Sequence, residues 1–329
     1  MDLGGTPLWA WGAVTVAILV MLLIDLLVVH KDAHAVTIRE AAYSSAVWIT
    51  IGLLFGLIIW ATEGGQLAGE YYTGYLVEKS LSVDNIFVFA LLFTYFAVPA
   101  ALQHRVLFWG VVGALVFRAI FIALGATLLE RFHWMIFVFG GFLVITGIRM
   151  AMSREDHVDP GRNPILRLMR KMVPMTDAYH GQKFTIREGG KRLATPLLAV
   201  LVAVETTDII FAVDSIPAVF AVTEDPFLVF TSNAFAILGL RALYFLLADL
   251  MDRFTYLKLG LAVVLVFVGV KMLVSEQWHP PGWLPLVVIA SILGISVWAS
   301  LRSTRPGELE ELADDRPMDD SDNVPAPPR

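Results

Sequence analysis

Nine apolar runs follow one another along this chain, near residues 8–29, 43–62, 75–97, 106–128, 133–152, 193–222, 227–248, 256–275 and 283–301. Each is about the 20 residues that an α-helix needs to cross a hydrocarbon core. With 57% hydrophobic and 16% charged residues, and a mean hydropathy of +0.70, the chain is too apolar for a soluble globular domain. The expected architecture is all-α and polytopic, with about nine transmembrane helices embedded in the lipid bilayer. The sixth run is long for one span and is expected to be tilted or broken. The first run is full length and lacks a basic leader, so no cleavable signal is expected. No cysteine is present, which excludes disulfides, thiolate metal sites and cysteine redox chemistry.

Lysine and arginine alternate between the inter-span segments. Residues 30–42 hold Lys31 and Arg39, the turn after the third run holds Arg105, and 153–192 holds nine basic residues. The alternate set (the N-terminus, 63–74, 223–226 and 276–282) holds none, and only Arg131 breaks the pattern. This predicts the N-terminus outside and the C-terminus in the cytoplasm. The polar stretch 153–192 reads as a basic cytoplasmic connector, and 303–329, rich in Asp, Glu and Pro, as a disordered acidic tail.

The two halves repeat. With Asp84 set on Asp208, the spacing from Asp84 to Arg118 is 34 residues and from Asp208 to Arg241 it is 33. Arg131 to Arg149 and Arg253 to Lys271 are both 18. Residues 75–152 therefore form a first three-helix repeat and 193–275 a second. Residues 1–74, with helices 1 and 2, and 276–302, with the last helix, are peripheral. An odd number of helices per repeat makes the pair inverted in topology, an arrangement whose substrate site lies near the midplane between repeats.

Five acids stand inside these runs: Glu78 and Asp84 in the first repeat, Glu205, Asp208 and Asp214 in the second. Each charged residue at a helix centre costs about 2.5–3.5 kcal/mol on insertion scales, so the acids need a partner, a watery cavity or a bound cation. Glu78 and Asp84 are six apart and cannot chelate together from a straight helix, whereas Glu205 and Asp208 share a face. Asn85 adds a neutral oxygen. Pro217 removes a helical bond and offers a kink or hinge beside Asp214. Oxygen donors without Cys or intramembrane His favour Mg²⁺, Ca²⁺ or Mn²⁺ over Zn²⁺ or Cu²⁺. An empty array of acids repels itself and takes up protons, which makes protons the candidate coupling ion. A single acid paired with arginine for structure is common, and Arg118 and Arg241 are available as charge-balancing or gating partners. Lys79 neutralises Glu78 or snorkels outward. Asp25 reads as interfacial, and Arg149 and Lys271, near helix ends, as snorkelling.

The segments Glu78-Lys-Ser-Leu-Ser-Val-Asp84-Asn85 and Glu205-Thr-Thr-Asp208-Ile-Ile-Phe-Ala-Val-Asp214-Ser-Ile-Pro217-Ala resemble the two signature segments of the TerC family, named for tellurium resistance and part of the lysine exporter superfamily. The resemblance runs from the first span, with Asp25 and the Thr37-Ile38-Arg39-Glu40-Ala41 segment, through the eighth. It implies a bacterial inner-membrane protein linked to manganese export and metal homeostasis, with Glu78, Asp84, Glu205, Asp208 and Asp214 as the carried-over acids. The expectation is a secondary transporter exporting a divalent cation, Mn²⁺ first, with no permanently bound cofactor and no nucleic-acid partner. Two other readings stay open: a non-transporting scaffold or tellurite-stress factor working through the connector, and an exporter of organic cations or amino acids, for which Phe87 and Phe211 flank the aspartates. No nucleophile and base pairing accompanies the acids, so an enzyme is not expected.

Overall fold

A computed structural model describes residues 2–3, 6–25, 37–132, 134–152, 174–176, 178–188, 191–247, 256–275, 277 and 283–303. Its helices are α1 (Leu8–Ile24), α2 (Ile38–Glu63), α3 (Gly65–Tyr95), α4 (Ala100–Arg131), α5 (Met135–Met152), α6 (Pro196–Phe220), α7 (Pro226–Leu238), α8 (Leu240–Leu247), α9 (Leu257–Leu273) and α10 (Trp283–Ser303). In lipid a spanning segment must satisfy its own backbone hydrogen bonds, and the α-helix does so within one run. The boundaries follow local chemistry. Thr37 Oγ1 accepts from Glu40 N at 3.3 Å and starts α2. Asp225 Oδ1 accepts from Phe227 N at 2.8 Å and starts α7, with Pro226 at its first position. Gly64, at φ 95°, turns α2 into α3 in a single residue, a backbone conformation that only glycine adopts cheaply.

The chain is an all-α, multi-pass membrane protein. Among the described residues, α2, α4, α5, α6 and α10 are long and apolar enough to cross a membrane, and the pair α7–α8, bent by 42°, makes a sixth if it counts as one span. Of the two expectations for the run 193–222, tilted or broken, the break is not there: α6 is continuous from Pro196 to Phe220. It falls in the next run, at Gly239. Pro217 stands three residues from the end of α6, where its missing N–H removes a bond near the terminus and leaves the rest of the helix regular.

The centre of the bundle is made by α3 and α4 packed against α6 and α7, while α5 packs along α9. Around it, α2 lies on α3, α7 and α8, α10 lies on α3 and α9, and α1 packs on α7. The α5–α9 contact is close because glycines form it. A Cβ on Gly140 would meet the Gly269 carbonyl oxygen at 3.0 Å, and one on Gly147 would meet the Ala262 carbonyl oxygen at 2.8 Å.

The connector contributes an antiparallel hairpin, β1 (Thr185–Glu188) with β2 (Lys191–Ala194). It is fastened to the α3–α4 turn by Tyr179 Oη donating to Phe96 O at 2.8 Å, and to α4 by Arg105 Nη1 donating to Gln182 Oε1 at 2.7 Å. Residues 153–173, 177 and 189–190 of the connector, and the acidic tail from 304 onward, lie outside the described residues.

Candidate cation site

Arg118, on α4, is the hub. Its Nη1 donates to Glu78 Oε1 on α3 at 2.5 Å, to Ser215 Oγ on α6 at 3.1 Å and to Asn233 Oδ1 on α7 at 3.0 Å. Its Nη2 donates to Asp208 Oδ1 on α6 at 3.3 Å. Asn233 Nδ2 donates to the other Glu78 oxygen at 3.0 Å, and Asn85 Nδ2 reaches Asp208 Oδ1 at 3.5 Å. The side chains of Arg118, Glu78 and Asp208 are 2%, 0% and 3% exposed. Two carboxylates share one guanidinium, so with all three ionised the cluster carries one uncompensated negative charge. Asp208 Oδ2 is buried with no hydrogen-bond partner among the described residues. An unpartnered carboxylate oxygen in a low-dielectric setting is costly until a cation or a proton reaches it.

Beside this hub is a cavity of about 50 Å³ lined by Glu78, Asn85, Arg118, Asp214 and Ser215, and closed by apolar side chains including Phe211 and Met150. On a share of about 30 Å³ per liquid water, it has room for a small ion or a water or two. Glu205, one turn before Asp208 on α6, lies against α4 where Gly113 has no side chain: a Cβ there would come within 2.0 Å of Glu205 Oε1. Glu205 Oε2 is likewise buried without a hydrogen-bond partner among the described residues.

The structure thus gathers Glu78, Asn85 and Asp208 around Arg118, puts Asp214 on the rim of the same cavity, and turns Glu205 toward the same helix, α4. The backbone of Asp84 belongs to α3; its side chain lies outside the described residues. Among the described residues no three acids or histidines converge to hold a metal ion. Between Glu78 and Asp208 stands Arg118, which binds an oxygen of each.

Three charged residues have other roles than the sequence suggested. Lys79 neither neutralises Glu78 through an ion pair nor snorkels; its Nζ donates to Ala236 O at 3.0 Å, in the last turn of α7. Lys271 does the same for α6, donating to Ala221 O at 2.8 Å. Arg241, at the start of α8, forms an ion pair with Asp25, the residue that follows α1, so Asp25, read from the sequence as interfacial, is buried against the protein. Arg241 also lines a small void together with Asp208. Asn233 and Ser215 were missed. A buried Thr231-Ser232-Asn233 step inside an apolar run is the signal that could have flagged the first, and Ser215 directly follows Asp214.

The family model described as integral membrane protein TerC family matches residues 63–307. The chain is 50% identical over 295 residues to "Uncharacterized membrane protein STKORF319" of Myxococcus xanthus, covering 90% of this chain and 92% of that one. It is 50% identical over 315 residues to "Putative membrane-bound redox modulator Alx" of Escherichia coli (strain K12), covering 92% and 98%. A membrane protein of Rickettsia felis is 38% identical over 292 residues, covering 89% and 97%. No solved structure matches significantly.

Proposed function

The chain belongs to the integral membrane protein TerC family, and from that premise we propose that it is a secondary transporter exporting a divalent metal cation, Mn²⁺ first. The observation that carries the reading is the position of Arg118. It binds one acid from each half, Glu78 and Asp208, and leaves Asp208 Oδ2 unpartnered. A hard divalent cation and a guanidinium compete for the same carboxylate oxygens. In this reading Arg118 holds the acids while no cation is bound, and cation entry displaces it toward Ser215 and Asn233, whose oxygens already accept from it. The guanidinium then neutralises the site on the return half of the cycle. Asp84, Glu205 and Asp214 supply further oxygens, and protons are the proposed counter-ion, since the acids released by the metal must take up positive charge to be buried again.

The contacts between repeats support alternating access. At the register offset of 122 residues that sets Arg149 on Lys271, Gly140 corresponds to Ala262 and Gly147 to Gly269. An exchange of the two repeats converts the Gly140–Gly269 contact into Ala262–Gly147, and both contacts are present. The same exchange converts α3–α7 into α6–α4, also both present. Reciprocal pairs of this kind support a pseudo-two-fold relation between the repeats, a relation that inverted repeats share. On this reading the nine helical runs are nine crossings, with α7–α8 as one, in a bacterial inner membrane with the N-terminus outside and the C-terminus inside.

The name of the Escherichia coli relative speaks of redox modulation. With no cysteine in this chain, thiol exchange by its own residues is excluded, and a redox effect would follow from control of a redox-active metal.

The test is Mn²⁺ efflux from proteoliposomes containing wild type, Asp208→Asn or Asp84→Asn at matched protein levels. Transport by wild type and loss in both variants is expected. Equal transport by folded variants would make the acids structural pairs and favour the scaffold reading.

A further inference from the structure

A crevice of about 900 Å³ separates α1 from α4. It exists because α1 packs on α7 and not along α4, and because α4 presents Ala119, Ala123 and Ala126 to it. Its walls and its mouth differ in chemistry. Trp11 and Phe230 form an aromatic wall, with ring centroids 5.8 Å apart. The mouth, at the end formed by the close of α4 and the α6–α7 turn, carries three carboxylates, Glu130, Glu224 and Asp225, and among the described residues no lysine or arginine lines the crevice. Glu224 and Asp225 belong to the α6–α7 turn, on the side that the lysine and arginine asymmetry assigns to the outside.

Exposed apolar side chains flank the crevice on both helices. On the same stretch of α4, Val116, Ile120 and Leu124 are 55%, 50% and 55% exposed, and on α1 Val16 and Leu19 are 58% and 54% exposed. Large apolar side chains exposed on helices of this kind face lipid, so a crevice between two such helices is flanked by the hydrocarbon layer, and the membrane is the nearest source of an occupant. An occupant must combine a long apolar part with a headgroup that tolerates three carboxylates. An anionic headgroup meets like charges in a confined mouth, whereas an ammonium meets opposite charges and an aromatic face.

We propose that this crevice is a binding site for a phospholipid with an ammonium headgroup, its acyl chain along the alanine face of α4 and its ammonium at Glu130, Glu224 and Asp225. The lipid fills the gap between α1 and α4 and so holds α1, which carries Asp25, against the bundle. The crevice shares no described lining residue with the cavity beside Arg118, and the inference does not depend on which ion is moved.

Native mass spectrometry of the full chain, extracted in mild detergent from membranes containing phosphatidylethanolamine and phosphatidylglycerol, tests it. Wild type is expected to retain phosphatidylethanolamine over phosphatidylglycerol by about fivefold or more. Glu130→Gln with Glu224→Gln should bring the two lipids close to parity. Ala123→Phe, filling the crevice, should remove the retained lipid; Ala119→Leu serves if that variant does not fold, with circular dichroism and monodispersity as the check. Equal retention of both lipids by wild type overturns the proposal. So does unchanged retention in folded crevice-filling variants, binding of a tetraalkylammonium probe with no retained lipid, or a dimer mass that disappears with Ala123→Phe.

Discussion

The ammonium of Lys79 occupies the space that a side chain on Gly239 would need: a Cβ there would lie 2.9 Å from Lys79 Nζ and 3.0 Å from Trp48 Cβ. The break between α7 and α8 leaves carbonyls without helical partners, and Lys79 donates to one of them, Ala236 O. The glycine and the lysine therefore act as one device holding the bend. Lys79→Met should lower stability by about 1.5–3 kcal/mol, the range for a hydrogen bond from a charged donor. Gly239→Ala should also destabilise by pushing the ammonium off its carbonyl. Because both act through one contact, the double variant should fall short of the sum of the singles by about 0.5 kcal/mol or more. Thermal melts of the four proteins in one detergent check this, and strict additivity would separate the two residues.

Removing the guanidinium of Arg118 leaves Glu78 and Asp208 buried without their cation. Breaking a buried pair in this way costs about 3–5 kcal/mol, so Arg118→Met should be severely destabilised. Adding Glu78→Gln to it should recover part of the loss, since the amide keeps hydrogen-bonding capacity toward Asn233 while removing a charge. Arg118→Lys should fold better than Arg118→Met yet transport poorly, because one ammonium cannot reproduce the fork that spans both acids. Apparent melting temperature and Mn²⁺ flux, measured on the same preparations, separate the two effects.

Gly113 is the seat of Glu205. Gly113→Ala places a methyl group within 2.0 Å of the present position of Glu205 Oε1, and the carboxylate, at the end of a flexible side chain, must move. The expected outcome is a transport defect resembling that of Glu205→Gln with a change in stability below about 1 kcal/mol, as helical glycine to alanine is itself favourable. Normal Mn²⁺ flux in Gly113→Ala would remove Glu205 from the transport path.

The helices were legible because lipid leaves the backbone no alternative, and a described helix lies in each apolar run. The break at Gly239 was not, since a glycine inside an apolar run is also compatible with close packing, while Pro217 drew attention to a helix that stays regular. The acids were legible from their desolvation cost, and Arg118 and Arg241 from the repeat register. Their partners were not. Asp25 and Arg241 are 216 residues apart and lie in elements that the repeat does not relate, so no spacing rule connects them. Asn233 joins Glu78 across 155 residues, a pairing between the two repeats that no spacing within either one reveals. Lysines near carbonyl-rich helix ends look the same in sequence whether they snorkel or cap, and the packing of α3 on α7 and of α9 near the end of α6 decides it.

Asp225 combines two opposing influences outside the spans. Burial, first, and the nearby carboxylates Glu70 and Glu63 push its carboxyl above the usual range, although the amides of Phe227 and Leu228 work in the other direction. A carboxyl raised in the folded state contributes stability that is fully present below its unfolded value, about 3.9, and is lost as pH rises through the folded value. In delipidated protein at neutral pH, with no headgroup ammonium beside it, the ionised group is therefore a burden that coexists with a helix cap. Asp225→Asn keeps an oxygen able to accept from Phe227 N and removes the charge, so it should melt at or above wild type at pH 7, and the two curves should converge as pH falls toward 4. Asp225→Ala loses the cap as well and should melt below Asp225→Asn at every pH, by about 0.5–2 kcal/mol. Thermal melts across that pH range check both signs, and a wild type that gains on Asp225→Asn as pH rises would mean that the cap outweighs burial.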